Sequence, residues 1–485
     1  MSLLSIEQSI WLHASSTPDK MALKSGRSCA TYAQLWRAIL SAKAYFEKAT
    51  FYEPKRAIIL AAGKQLGFVY AYFGAHLAGL RVVPIDPETN PTRFDYIVHT
   101  LQPLCVIGFE KHESPLPYVS LKTFEKLEDC QFPDFQEFPQ PDNIADILFT
   151  TGTTGVPKGV PLTFANESAA ARNINEYIGN GGEDVELLAL PVSHSFGLGR
   201  LRCCLSVGAT LILHGSFVNV KRLFRLMREE HVTGFTMVPA SWKFLQKMSG
   251  EQLAEYADQL RYIEMGSAYL GEEDKRLLAS LFPHTRVTMH YGLTEASRSA
   301  FMEFHEDADH LSSVGKASPH CEIAIFDEGG HMLPSNTEGE IGVKGDHVTH
   351  GYINVPNADI FFGSYFRTGD WGTKDDEGYV YLKSRKKELI NVGGKKVSPL
   401  EVEEQLLKVP GIADCACTAH PDPSGVLGEV VKAYIVPSPE ATITFEQIAE
   451  HLKGTLESYK LPALYEWAES IPRTQNGKIL RGQLP

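Results

Sequence analysis

Along most of this chain, short continuous apolar runs alternate with longer stretches of helical period. Residues 56–60, 81–85 and 106–108 are runs of strand length, and the stretches 64–80 and 92–101 between them carry the repeat of packed helices. The pattern returns further on, with strands expected at 187–190, 209–213, 234–238, 262–265 and 287–290 and helices at 218–231 and 241–249. Alternation of this kind predicts α/β architecture. From about Val314 the texture changes to short alternating strands with Gly and Asn turns, at 324–326, 339–343 and 378–382, which suggest a small antiparallel barrel-like unit. A basic cluster at 383–387 follows. The last module then carries a strand at 389–391, a helix at 399–407, strands near Cys415 and at 430–436, and a helix at 444–456. The expected division is therefore 1–386, a large N-terminal domain of two α/β subdomains plus the barrel-like subdomain, and 387–485, a small α+β domain. Internal repeats and low-complexity tracts are not evident.

Length and composition fit this picture. A chain of 485 residues exceeds what one core usually serves, and 43% hydrophobic content supplies more than one. The net charge of −13 argues against nucleic acid as the main partner, because phosphate backbones are held by basic surfaces. Eight cysteines without metal-type spacing suggest reduced thiols in the cytoplasm, with Cys415 and Cys417 on one buried strand. Residues 5–14 read as an amphipathic helix rather than a leader peptide. The apolar stretch 66–80 is too short to span a bilayer and reads as a packed helix.

The densest chemistry lies at Phe149-Thr150-Thr151-Gly152-Thr153-Thr154-Gly155-Val156-Pro157-Lys158-Gly159, directly behind an apolar run. Glycines let backbone N–H groups converge, threonine hydroxyls add short donors and the lysine adds a point charge, so a phosphate cradle is expected. It is neither a Walker A loop, since Pro157 precedes Lys158 and Gly159 follows it, nor a dinucleotide fingerprint. Four further segments carry chemistry. Tyr291-Gly292-Leu293-Thr294-Glu295 places a ring and a carboxylate at a strand's end, where open α/β sheets bind ligands, and a carboxylate beside a triphosphate suits Mg²⁺. Phe366-Arg367-Thr368-Gly369-Asp370 leaves an apolar segment for a turn, with Asp370 able to accept from a ribose or simply to cap itself. Basic residues from Arg385 to Lys396 flank the Gly393-Gly394 turn, and Lys478 follows a glycine close to the terminus.

In this order and spacing, the five segments resemble the acyl-adenylate-forming superfamily: acyl-CoA synthetases, carrier-protein-loading adenylation domains and luciferase-like enzymes. The likeness runs from Thr17-Pro18-Asp19-Lys20 and Thr31-Tyr32-Ala33-Gln34-Leu35 to Lys478. It implies ATP-dependent activation of a carboxylic acid to an acyl-AMP, then transfer to the thiol of CoA or, alternatively, to the phosphopantetheine of a carrier protein. It also implies a mobile C-terminal domain that turns at a hinge residue, Lys387. Carried over by position, Thr150, Thr151, Gly152, Thr153, Thr154, Gly155 and Lys158 would meet the phosphates, with Thr151 catalytic and Thr154 and Glu295 near Mg²⁺. Tyr291 lies where the family sandwiches adenine, and Gly266, Ser267 and Ala268 would form the other adenine wall and part of the acyl pocket; His290, Gly292 and Thr294 would also bind the nucleotide. Asp370 and Arg385 match the ribose-binding pair, Gly393 and Gly394 the thiolation face, and Lys478 the catalytic lysine. His194 matches the residue that gates the acyl pocket, which would include Phe196, Gly197, Arg200, Pro239, Trp242, Gly266, Tyr291 and Gly292.

Departures from the pattern bear on substrate and acceptor. No aspartate follows Phe196, so an ordinary α-amino acid is disfavoured, and a fatty, aryl or functionalised acid fits better. Ser384 replaces a common glycine and Asn391 a common lysine, which touches the thiolation surface rather than adenylation.

Overall fold

The computed structural model describes residues 3–109, 116–126, 137–150, 157–356, 359–439, 441–474 and 477–484. Two sheets organise the N-terminal part. The first has nine strands in the order Lys316–Ala317, Ala300–Glu303, Arg286–Tyr291, Tyr262–Met265, Gly234–Met237, Val185–Leu188, Thr210–Leu213, Met21–Ser25 and Ser28–Thr31. Strands from Arg286–Tyr291 through Met21–Ser25 run parallel, and antiparallel pairs close both edges. The second has six strands in the order Tyr118–Val119, Val106–Ile107, Ala57–Ala61, Arg81–Ile85, Ile144–Thr150 and Lys158–Thr163, parallel except for its last, antiparallel pair.

Helices pack between these sheets because their apolar faces must be covered on both sides. One hydrophobic cluster joins Leu23 and Leu211 of the first sheet, Ile58, Leu60 and Val82 of the second, and helices Tyr32–Lys48 and Leu66–Leu77. Every residue of helix Leu66–Leu77 is buried, which explains an apolar run with no polar face. Its backbone comes so near the Tyr32–Lys48 helix that a methyl on Gly74 would sit 2.4 Å from the Ala42 Cβ. That helix is a packed element, and no helix among the described residues is long and apolar enough to cross a membrane.

A five-stranded antiparallel sheet follows, built from Cys321–Phe326, Gly339–Gly345, Tyr365–Lys374, Phe361–Phe362 and Val380–Arg385. Here the structure differs from the expected turn at 366–370. Those residues lie inside strand Tyr365–Lys374, and the ladder absorbs the irregularity as register shifts near Gly369, whose φ is +70°. The last strand ends at Arg385, and a single 3₁₀ turn, Lys386–Glu388, leads to the C-terminal part. This part has its own core, including Ile390, Val402, Leu406, Cys417, Val431 and Leu452, between strands Ile412–Pro421, Glu429–Pro437 and Leu464–Trp467 and helices Pro399–Leu407 and Phe445–Lys453. The fold is thus mixed α/β, with a large N-terminal domain and a small C-terminal one.

Candidate active site

Parallel strands of both large sheets end on one cleft of about 910 Å³. Strand Arg81–Ile85 delivers Asp86, Ile144–Thr150 delivers Thr150, and Arg286–Tyr291 delivers Gly292, Thr294 and Glu295. Strand carboxyl ends are where open α/β sheets hold ligands, since the connecting loops diverge there. Thr150 and Lys158 both line the cleft and pair across the antiparallel strands Ile144–Thr150 and Lys158–Thr163. Thr151, Gly152, Thr153, Thr154 and Gly155 lie outside the described residues.

Cations crowd one wall, formed by Lys158, Arg385, Lys387 and Lys478. Burial and the nearby Lys158 ammonium push the Lys387 ammonium below the usual lysine range. Glu295 is their counterpart. It is buried, takes a 2.7 Å hydrogen bond from the Tyr352 hydroxyl, and the Lys158 Nζ stands 4.8 Å from the Tyr352 ring centre. Beneath the same wall, Asp370 receives the Tyr291 hydroxyl at 2.6 Å and the Arg385 Nε at 2.9 Å. Burial raises the Asp370 carboxyl, and Arg385 and Tyr291 oppose that rise. Tyr291 and Asp370 therefore face one another under the surface, while Thr368, Gly369 and Gly292 line the cleft itself.

Lys478 reaches this wall from the far end of the chain. Its loop is fixed by the Arg473 Nη2–Asp414 pair at 2.7 Å, by Arg473 Nη1 donating to the Gly477 carbonyl at 3.1 Å, and by the Lys478 N–H donating to the Thr474 hydroxyl at 3.1 Å. Gly477 packs against the N-terminal domain, since a methyl there would sit 3.4 Å from Ala240 Cβ and 3.9 Å from Ala268 Cβ. The side chain keeps access to solvent through the cleft mouth, yet protein surrounds it. That enclosure and the Arg385 guanidinium lower its pKa, while Asp370, Glu295 and Glu388 pull the other way. Gly393 and Gly394 occupy the exposed turn between Ile390–Val392 and Lys395–Val397, both with positive φ, and do not line the cleft.

The deeper end is built by helix Ser195–Ser206 and strand Arg286–Tyr291. His194 is the helix N-cap and lines the cleft together with Ser195 and Phe196. Gly197 does not; a methyl there would meet the Pro191 carbonyl oxygen at 2.2 Å, so the residue serves close packing. The apolar pattern did not mark this helix, because Gly197 and Gly199 weaken helix propensity in its first turns. His290 lines the cleft with its ring 4.6 Å from Phe196 and its Nδ1 2.7 Å from Glu264; burial lowers its pKa. Gly266 makes room for that ring, since a methyl would sit 2.2 Å from it. Ser267 lines the cleft with φ at +72°, and Ala268 lies on the same loop, nearer Gly477.

Three residues expected in the acyl pocket are elsewhere. Arg200 is fully buried, donating to Glu186 through Nε at 3.0 Å and lying 3.3 Å from Glu264, so it does not line the cleft. Trp242 is 1% exposed inside the hydrophobic cluster on the far side of the nine-stranded sheet, and Pro239 starts its helix, Pro239–Ser249, below the surface. Arg202 is likewise buried, against Tyr72, Asp146 and Glu167. Conversely, the sequence did not single out Arg93, Arg298, Tyr352 or Thr474, all of which line the cleft. Arg298 is the most consequential. It is 2% exposed, adopts φ +53°, and donates to the Ser195 and Phe196 carbonyls at 3.2 and 3.0 Å. Only its position three residues after Glu295 hints at a place in the site.

Comparison with known proteins extends these observations. A family model described as AMP-binding enzyme matches residues 10–353, and one described as AMP-binding enzyme C-terminal domain matches 401–478. The chain is 30% identical to the 2-succinylbenzoate–CoA ligase of Bacillus velezensis, covering 99% of this chain and 98% of that protein. It is 30% identical to the indoleacetate–CoA ligase of Aromatoleum aromaticum, covering 98% and 96%. Among solved structures, the o-succinylbenzoate CoA synthetase of Bacillus subtilis with its acyl-adenylate intermediate superposes with a TM-score of 0.88 at 26% identity, covering 100% of this chain and 98% of that one. The same enzyme with ATP and magnesium ion superposes with a TM-score of 0.86 at 26% identity, covering 98% of each chain.

Proposed function

The chain belongs to the AMP-binding enzyme family, and from that premise we propose that it activates a carboxylic acid with ATP, releasing pyrophosphate, and passes the acyl group from acyl-AMP to the thiol of CoA. The observation that carries this reading is the meeting of Lys478 with Lys158, Glu295 and Arg385 in one cleft, although Lys478 and Lys158 come from different domains.

A carboxylate attacking the α-phosphate meets like-charge repulsion, and negative charge builds on the non-bridging oxygens. Lys478 offsets both by standing between the two reactants. No general base is required, because the acid is already ionised at neutral pH. Thr150 and Lys158, at the two ends of the Thr/Gly segment, hold the phosphates, and Thr151 through Gly155 join them. Asp370, already receiving Tyr291 and Arg385, keeps lone pairs for the ribose hydroxyls. Ser267 and Ala268 flank the adenine on one side and Gly292 and Thr294 on the other, and Gly266 packs on the His290 ring.

Among the described residues no group of three His, Cys, Asp or Glu side chains gathers as a metal cage. A single buried carboxylate, Glu295, suits Mg²⁺, an ion that keeps waters and binds through substrate phosphates, with Thr154 as the second protein ligand. When bound, Mg²⁺ neutralises charge on the leaving pyrophosphate.

The arrangement of Lys478 inside the cleft and Gly393-Gly394 outside it is that of the adenylation step. Thioester formation follows a rotation at Lys387 that withdraws Lys478 and brings the Gly393-Gly394 turn to the cleft. The two full-length relatives named above are CoA ligases, which favours CoA over a carrier protein as acceptor. A cytoplasmic location accords with ATP and CoA as substrates and with described cysteines that form no disulfide. The test is acid-dependent ATP–pyrophosphate exchange over a panel of carboxylic acids, followed by CoA consumption. Exchange that needs no acid refutes adenylation; exchange without CoA thioester refutes the acceptor.

A further inference from the structure

The deep end of the cleft stops at a wall that the proposed reaction does not itself require. Phe196, His290 and Arg298 form it: the Phe196 and His290 rings meet edge to face at 4.6 Å, and the Arg298 guanidinium lies 4.7 Å from the Phe196 ring centre. Two glycines leave room for the wall rather than for a ligand. A methyl on Gly266 would sit 2.2 Å from the His290 ring, and one on Gly199 would sit 2.6 Å from Arg298 Nη1.

Behind the wall runs a chain of alternating charges. Arg298 Nε donates to Glu264 Oε1 at 3.2 Å, Glu264 Oε2 lies 3.3 Å from Arg200 Nη1, and Arg200 Nε donates to Glu186 at 3.0 Å. These four side chains are each 2% exposed or less. An alkyl tail pushed one helical turn past Phe196 would part these ions in a dry interior, and a buried charge that loses its partner is strongly destabilising. The other way out, past Ser195 and Ser297, leads only to a cavity of about 20 Å³ among Asn166, Glu167, Arg202 and His347. That space suits one water.

Resting on the adenylation reading above, we propose that Phe196, His290 and Arg298 set the length limit of the acyl pocket, and that the substrate is a compact carboxylic acid, short-chain or single-ring, rather than a long-chain fatty acid. His290 Nδ1 faces Glu264 and its Nε2 edge packs on Gly266, while Ser195 and Ser297 line the space beside it. A polar substituent on the distal part of the acid therefore has partners at this end, whereas an extended methylene chain runs into the wall.

The test is ATP–pyrophosphate exchange by the full-length enzyme with butyrate, hexanoate, octanoate, dodecanoate, benzoate and 4-hydroxybenzoate. The expected result is a kcat/KM at least about tenfold lower for dodecanoate than for the best short-chain or single-ring acid. Phe196→Ala removes part of the wall, and its contact with Arg298, while leaving the Arg298–Glu264–Arg200–Glu186 chain of ion pairs in place. It shifts the preference toward longer acids while the KM for ATP stays unchanged. Dodecanoate turning over on a par with the short acids overturns the proposal while leaving adenylation intact; the tail would then leave along the Ile85, Ile97 and Leu148 side of the cleft. Absence of exchange with every acid overturns the adenylation reading and this proposal with it. If Phe196→Ala does not fold, the wild-type length series decides alone.

Discussion

The Tyr291 hydroxyl donates a 2.6 Å hydrogen bond to the Asp370 carboxylate, joining the end of strand Arg286–Tyr291 in the nine-stranded sheet to strand Tyr365–Lys374 in the small antiparallel sheet. Arg385 completes the cluster from the residue that ends the last strand of the N-terminal domain. One carboxylate thus ties two sheets and the exit to the C-terminal domain. Tyr291→Phe removes a bond to a charged group, so a loss of about 1.5–3 kcal/mol is expected in urea unfolding, with a raised KM for ATP. Unchanged stability and KM together would show that the bond is incidental.

Lys478→Ala separates the two half-reactions. Adenylate formation should fall by about 10²–10³-fold, the usual scale for losing one group that stabilises charge in the transition state. Thioester formation from a supplied acyl-adenylate should be spared, because Lys478 leaves the cleft for that step. Single-turnover assays of each half measure the two effects. Equal losses in both halves would contradict the role given to Lys478.

The pH dependence of adenylation carries the same residue's signature. Enclosure and the Arg385 guanidinium lower the Lys478 pKa. Only the protonated ammonium offsets phosphate charge, so activity should be lost as pH rises through a value below the ordinary lysine range of about 10.4. Lys478→Arg keeps the charge at every accessible pH and should retain partial activity while moving the alkaline limb upward. A limb that stays in place in Lys478→Arg belongs to another group.

The cleft was legible because its parts sit at strand ends marked by short motifs. The Tyr291–Glu295 turn after an apolar run, and the glycine before Lys478, need no tertiary information to be noticed. Arg200 and Trp242 were not legible in the same way. Helix Ser195–Ser206 turns Arg200 under Phe196 into the sheet, where Glu186 on strand Val185–Leu188 and Glu264 on strand Tyr262–Met265 wait for it. A buried arginine with partners 14 and 64 residues away leaves no local mark in the sequence. Arg298 escaped notice for the same reason: its partners are backbone carbonyls about a hundred residues upstream.

The Arg200–Glu186 pair makes a stability prediction independent of catalysis. Arg200→Leu leaves Glu186 buried and uncompensated, and a loss of about 3–5 kcal/mol is expected. Arg200→Leu combined with Glu186→Leu should recover part of that loss, since replacing both members of a buried pair is often close to neutral. Urea denaturation of the two variants checks the pair; a double variant no better than the single one would mean that Glu264 and Tyr262 depend on Arg200 as much as Glu186 does.

A second buried network, between the sheets, predicts how stability itself depends on pH. His76 is fully buried, with Nδ1 2.8 Å from Glu7 and Nε2 3.1 Å from Asp146. Burial opposes its charge, but the hydrogen bonds that the ring donates to Asp146 and Glu7 outweigh it and raise the imidazole to about 10. Tyr72, Glu167 and Arg202 complete the surroundings, with Arg202 between Asp146 and Glu167. In the unfolded chain the same imidazole titrates near about 6.5. Below that pH both states hold the proton and the full contribution of His76 is present. As pH rises toward 10 only the folded state keeps the proton, so the contribution declines by up to about 1.4 kcal/mol per pH unit. His76→Gln, which cannot carry charge, should therefore be most destabilising relative to the parent at pH 6, with the difference narrowing steadily by pH 9. Urea unfolding of both proteins at pH 6, 7.5 and 9 measures it. A gap that stays constant across that range would mean that the His76 imidazolium is no more stable in the folded protein than in water.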